Sequence, residues 1–259
     1  MRPGLGFLWV CAAAGVYAQS GIGVPRAGCV LDGVGRLGQV RGVAGAFVPG
    51  KAVEKGVIAA ACSEHLSVVK TEQELQMRDG ELRVTARRPA PGGAALFAFL
   101  PNGSAAYVYY PTTHGVVRVD PQQPPRPVTI YDGLEGDVLA IAAPDTKHIA
   151  AVVRSGSEIS IVRILLATGK PDQVIPLESA AERALLLADG TLVAVAGSEV
   201  MVRRSDRTEH RFTLSGPAAA LYLMNDRLAG IVPARGRALI AVRLERGREQ
   251  LLRVPEAVR

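Results

Sequence analysis

The chain has 259 residues, 48% of them apolar, 5% aromatic and 21% charged, with a formal charge of +6. The apolar share excludes a disordered polymer, and the length is ample for burying a core. Three cysteines are too few for a disulfide-dense miniature fold.

The first eighteen residues read as an export signal. Arg2 precedes an apolar stretch from Leu5 to Ala14, and the small-residue segment Gly15-Val16-Tyr17-Ala18 comes next. A charged start, an apolar middle and small residues at the cut are the three parts of a secretory signal peptide. Val16 and Ala18 occupy the positions that signal peptidase reads, so the expected cut falls after Ala18, leaving a single domain over 19–259. The apolar run falls short of the roughly 20 residues that cross a bilayer. No later run approaches that length, so no membrane span is expected and the mature chain should be periplasmic or extracellular.

Cleavage leaves Cys29 and Cys62. In an oxidising compartment two remaining cysteines pair. The alternative is two buried thiols, because Cys62 ends the apolar run Val57-Ile58-Ala59-Ala60-Ala61. Between them, Gly33-Val34-Gly35-Arg36-Leu37-Gly38 matches the letters of a dinucleotide fingerprint. That fingerprint needs a helix opening at its end. Gln39 to Gly45 is instead glycine-broken and strand-like, so the segment reads as a glycine-rich hairpin. Residues 48–93 carry no clear pattern; Glu72 to Met77 could form one helical turn.

Further along, short β-branched runs bounded by turn residues dominate. Val116 to Val119, His148 to Val153, Glu158 to Ile164, Glu199 to Val202 and Leu239 to Glu245 read as strands. A longer unit recurs: an apolar strand, a Pro/Asp/Asn/Gly turn and a second apolar strand. Its copies centre on Pro101-Asn102-Gly103, Pro144-Asp145-Thr146, Ala188-Asp189-Gly190 and Met224-Asn225-Asp226, at spacings of 43, 44 and 36 residues. A four-stranded blade needs roughly 40 residues. Two further strand candidates lie between copies, such as Gly115 to Asp120 and Pro127 to Tyr131. The expected fold is therefore all-β, a β-propeller of five to six four-stranded blades. A β-sandwich with a small β domain is the alternative.

The P-[ND]-G-type turn between apolar strands resembles the hairpin of WD-repeat and YVTN-type propellers. Cys29-Val30-Leu31-Asp32 and Arg41-Gly42-Val43-Ala44-Gly45-Ala46 resemble a motif of secreted propeller-like proteins of soil bacteria. The likeness covers residues 28–254, but the Trp-Asp dipeptide of the WD repeat is absent. It implies that the N-terminal strands, around residues 28–47, complete the last blade and so close the ring.

Three features bear on chemistry. Asp132, Glu135 and Asp137 lie in one connection between units and could hold Ca²⁺ or act as an acid–base pair, although the EF-hand spacing is missing; the alternative is a solvated turn. No other cofactor is expected. His65, His114, His148 and His210 are scattered, and no nucleophile elbow is present. Propeller lactonases gather Glu, Asn and Asp from separate blades, yet the only asparagines, Asn102 and Asn225, sit in hairpin turns. Finally, Arg203 to Arg259 contains twelve arginines and six carboxylates, whereas charges balance in the preceding residues. Arg203, Arg204, Arg207, Arg211, Arg235, Arg237, Arg243, Arg246 and Arg248 define this basic sector. It suits an acidic protein or an anionic polymer, or else is an arginine-rich solvated face. Nucleic acid is not expected, given export and few aromatics for base stacking. The expectation is a monomeric, noncatalytic binding or scaffolding module. A lactone or glycan hydrolase with its site in the central channel and a cell-envelope assembly factor are the alternatives.

Overall fold

A computed structural model describes residues 25–128, 130, 134–235 and 239–255. The segment read as an export signal, Asp132 and Arg237 lie outside them. The described residues form a six-bladed β-propeller with 23 strands and no helix. Blade 1 has three strands: β1 (Arg26–Leu31), β2 (Leu37–Val43) and β3 (Ala46–Glu54). Blade 2 comprises β4 (Val57–Cys62), β5 (Ser67–Thr71), β6 (Glu74–Arg78) and β7 (Val84–Pro89). Blade 3 comprises β8 (Leu96–Phe99), β9 (Ala106–Tyr110), β10 (Gly115–Asp120) and β11 (Gln123–Val128). Blade 4 comprises β12 (Asp137–Ala142), β13 (His148–Ser155), β14 (Glu158–Leu165) and β15 (Lys170–Leu177). Blade 5 comprises β16 (Arg183–Leu186), β17 (Leu192–Ala196), β18 (Glu199–Arg203) and β19 (Glu209–Thr213). Blade 6 comprises β20 (Ala218–Asn225), β21 (Leu228–Pro233), β22 (Leu239–Arg243) and β23 (Gln250–Val254). Each blade is an antiparallel meander in chain order. No helix among the described residues is long and apolar enough to cross a membrane.

The four copies of the hairpin unit are the first two strands of blades 3 to 6. Their turns form because a side-chain oxygen captures the amide two residues on. Asn102 Oδ1 accepts from Ser104 N–H at 3.1 Å, Asp145 Oδ1 from Lys147 at 2.6 Å, Asp189 Oδ1 from Thr191 at 2.8 Å and Asn225 Oδ1 from Arg227 at 2.7 Å. Blade 2 contains a fifth copy without a Pro/Asp/Gly signature. There Ser63 Oγ accepts from Leu66 N–H at 3.1 Å. The glycine-rich segment after β1 is the hairpin its spacing suggests: Asp32 Oδ1 accepts from Val34 and Arg36 N–H, and Gly35 takes a φ of +74°.

The core is a series of interfaces between blades. Apolar clusters fill the gaps between blades 2 and 3, 3 and 4, 4 and 5, and 5 and 6, while a further cluster joins blade 1 to blades 2 and 6. Strands in mid-blade are therefore covered on both faces. In β22, Val242 packs toward blade 5 and Ala241 toward blade 1, both fully buried. For this reason Ala106 to Tyr110 and Ile149 to Val153 are continuous buried runs, and the outermost strands β7, β11 and β19 are mostly exposed.

Two expectations fail. Glu74–Arg78 is a strand, not a helical turn. Its local preference yields to pairing with β5 and β7, which buries Leu75 and Met77 against blade 3. On the other face the Arg78 guanidinium donates to Leu82 O at 2.8 Å and pairs with Glu54. Second, the N-terminal strands do not complete the last blade; they form a sheet of their own. The reason is that blade 6 supplies four strands of its own, β20 to β23, and leaves no place to complete. Gly28, at φ +127°, sits so close to β20 that a Cβ would stand 2.3 Å from Met224 O. The two strands thus meet face to backbone, and no ladder forms between them. Blade 1 is instead tied in by the Cys29–Cys62 disulfide, by Asn225 Nδ2 donating to Ala27 O at 2.6 Å, and by Leu31 N–H donating to Tyr222 Oη.

Candidate functional site

The first strands β4, β8, β12, β16 and β20 surround the axis, and their neighbours touch, β20 meeting β4 directly. Blade 1 reaches the axis only with Leu31. The resulting cavity, of about 300 Å³, is lined by residues 58–61, 94–97, 138–141, 182–185 and 220–223 together with Leu31. Nearly all are Ala, Leu, Val, Ile or an aromatic. Glu182 and Arg183 are the charged side chains in this lining, and Arg183 Nε donates to Ala218 O at 3.2 Å. Strands whose both faces pack against neighbours leave mainly small apolar side chains to the axis.

The acidic connection lies only in part within the described residues. Glu135 is exposed, and Asp137, at the start of β12, accepts from Arg154 Nη2 at 2.7 Å. Asp132, the third carboxylate of that reading, lies outside the described residues. Among the described residues no group of three His, Cys, Asp or Glu side chains is placed to hold a metal ion.

The C-terminal arginines are interlaced with carboxylates. Arg203 lies 3.9 Å from Glu209, Arg211 pairs with Glu199 and Glu209, and Arg248 lies 3.9 Å from Glu245. Arg243 pairs with Glu245 and Arg246 with Asp206. Arg204 is nearly buried between blades 5 and 6, where it pairs with Glu249 at 2.6 Å and donates to Thr191 Oγ1 at 3.0 Å. Arg207, at φ +69° in the turn before β19, and exposed Arg235 have no ion pair among the described residues. Burial would raise the Glu249 carboxyl, but the Arg204 hydrogen bond and the Arg204 and His210 charges hold it below the ordinary range.

The fold also assembles a group that no local pattern announces. His148 Nδ1 lies 2.8 Å from Asp145 Oδ2, and its Nε2 lies 3.3 Å from Asp172 Oδ2. Arg163 holds Asp172 from the other side with Nε at 3.0 Å and Nη2 at 3.0 Å. The His148 hydrogen bond leads the effects that keep Asp145 below the usual carboxylate range, and the Arg163 bond does the same for Asp172. Asp145 and His148 were visible as neighbours in a hairpin. Asp172 joins them because β15 folds back on β14, opposite the strand His148 begins. Of the other histidines, His114 Nδ1 meets Tyr109 Oη at 3.1 Å, and His65 packs beside Gly103.

No protein-family profile matches the chain, and no curated protein matches it in sequence. Solved structures do match in shape. A chain of the nidogen/laminin complex superposes with a TM-score of 0.60 at 11% identity, over 88% of this chain and 92% of that one. PorZ, described as an essential surface component of the type-IX secretion system of Porphyromonas gingivalis, gives 0.51 at 16% identity, over 87% of this chain. The WD40 repeats of RRP9 give 0.51 at 12% identity, over 78% of this chain. What they share with it is the propeller fold. The chain spans 30% of PorZ and 65% of the RRP9 repeats.

Proposed function

We propose that this chain is an exported, noncatalytic β-propeller that holds an acidic protein or an anionic polymer on its surface. The observation that carries this reading is the wall of the axial cavity. A hydrolase site there would need several acid–base or metal-binding groups converging on one point, and the described lining supplies one carboxylate, Glu182, beside one arginine. A closed ring of packed blades is a rigid frame on which surface loops can carry recognition. Export is supported by the disulfide, which persists in oxidising compartments. The attractive charge for an anionic partner comes from Arg207 and Arg235, and from the surplus of arginine over carboxylate around them.

Retention of the full chain on immobilised heparin tests this reading. The protein should elute above about 150 mM salt, where the Debye length has shrunk to roughly 8 Å. The double variant Arg207→Glu/Arg235→Glu should elute clearly earlier. Elution of the unaltered protein well below that salt would remove the anionic-polymer reading. Turnover of a lactone or glycan from a substrate panel would replace the binding module with an enzyme.

A further inference from the structure

Between blades 3 and 4 lies a second cavity, of about 440 Å³, away from the axis and from the C-terminal arginines. Its floor is one row of side chains across three strands. Tyr107 in β9 stands opposite Arg118 in β10, and Arg118 stands opposite Arg126 in β11. Directly opposed residues project from the same face of a sheet, so Tyr107 and the exposed Arg118 and Arg126 form one row on that face. The turn at residues 166–169, between β14 and β15, supplies the facing wall, and Pro127, Val128 and Leu166 add apolar surface.

The charge arrangement sets this row apart. Several arginines elsewhere on the blades pair with a carboxylate of the neighbouring strand, directly opposite or diagonally: Arg154 with Asp137, Arg163 with Asp172, Arg211 with Glu199. Arg118 and Arg126 face each other instead. Among the described residues neither has an ion pair, and no carboxylate lines the cavity. Like charges directly opposed across a ladder destabilise it. Arg126 is also held stiffly, between Pro125 and Pro127, on an edge strand where proline costs no ladder bond. Burial, together with the charge of Asp145, raises the Tyr107 phenol above its ordinary pKa, with Arg118 opposing, so the hydroxyl is neutral and able to donate.

We infer that Tyr107, Arg118 and Arg126 form a binding site for an oxyanion of the phosphate class, free or carried as an ester on a small organic molecule. Two guanidinium forks and a phenolic O–H converge on one cavity, and planar forks match the oxygens of such groups. The apolar wall would receive the organic part of an ester. The site stands apart from the basic sector of blades 5 and 6, and its existence does not depend on that sector holding an anionic partner.

The test is calorimetric titration of the full chain at constant ionic strength in chloride, with inorganic phosphate in one arm and phenyl phosphate in the other. Saturable one-to-one binding is expected in at least one arm. It should weaken about tenfold or more in Arg118→Ala and in Arg126→Ala, and less in Tyr107→Phe. Arg118→Lys, which keeps the charge and loses the fork, should fall between. Arg87→Ala, which removes an exposed arginine of β7 paired with Glu74, should bind as the unaltered protein does. Each alanine variant removes a like-charge contact, so melting temperatures should not fall, which separates lost binding from lost folding. Tighter binding of phenyl phosphate assigns the site to esters, and equal or weaker binding assigns it to the free anion. Absence of saturable heat in both arms, or affinities unchanged in the two alanine variants, overturns the inference.

Discussion

The hydroxyl oxygen of Tyr222, in the first strand of blade 6, accepts the N–H of Leu31 from blade 1 at 3.0 Å. The two residues are 191 positions apart, and the bond is buried. Gly230 makes room for it: a Cβ there would stand 2.4 Å from the Tyr222 Cζ. Burial pushes the phenol far above its ordinary pKa, so it stays a neutral acceptor throughout the working range.

Tyr222→Phe should therefore leave the Leu31 N–H buried without a partner. The expected loss is about 1–3 kcal/mol, read from urea denaturation. Gly230→Ala should cost a similar amount by forcing the ring aside. A Tyr222→Phe variant as stable as the unaltered protein would show that this bond does not hold blade 1 in the ring.

The Cys29–Cys62 bridge closes an interval of 33 residues. By the chain-entropy estimate it contributes about 4 kcal/mol. The Cys29→Ala/Cys62→Ala variant should lose roughly that amount, and amide exchange should quicken in β1 to β3 far more than in blades 3 to 5. Uniform quickening around the ring would contradict the view that the bridge fastens blade 1 in particular.

Arg204 and Glu249 make a pH-dependent clamp between blades 5 and 6. Because the folded carboxyl titrates below its unfolded value, the clamp stabilises fully above about pH 4.3 and is lost as pH falls through the lower folded value. Glu249→Gln should cost about 3 kcal/mol at neutral pH by leaving Arg204 nearly buried and unpaired. Its stability should then fall less steeply on acidification. A variant with the unaltered acid profile would show that the pair does not drive the acid response.

The legible parts of this protein were those built within a few residues. Asn102, Asp145, Asp189 and Asn225 each close a turn by bonding an amide two positions on, so their spacing revealed the blade period. Leu239 to Arg243 announced a strand by its alternation, and neighbouring blades cover both of its faces. Blade 2 escaped notice because Ser63 does the work of the missing Pro-Asp-Gly, and because Glu74–Arg78 favours helix until β5 and β7 pair with it.

Composition and local pattern determined the β class, the repeat of roughly 40 residues and the two cysteines available to pair. The tertiary structure decided what those strands surround and which charges remain unpaired. The C-terminal arginines read as a bare basic sector in sequence, yet Arg203, Arg204, Arg211, Arg243, Arg246 and Arg248 all find carboxylates once the strands align. Arg118 and Arg126 belong to no sequence motif and end up face to face because β10 and β11 pair in that register. Pairing partners across a sheet, and contacts between blades, are set by closing the whole ring. No window of a few residues contains that information.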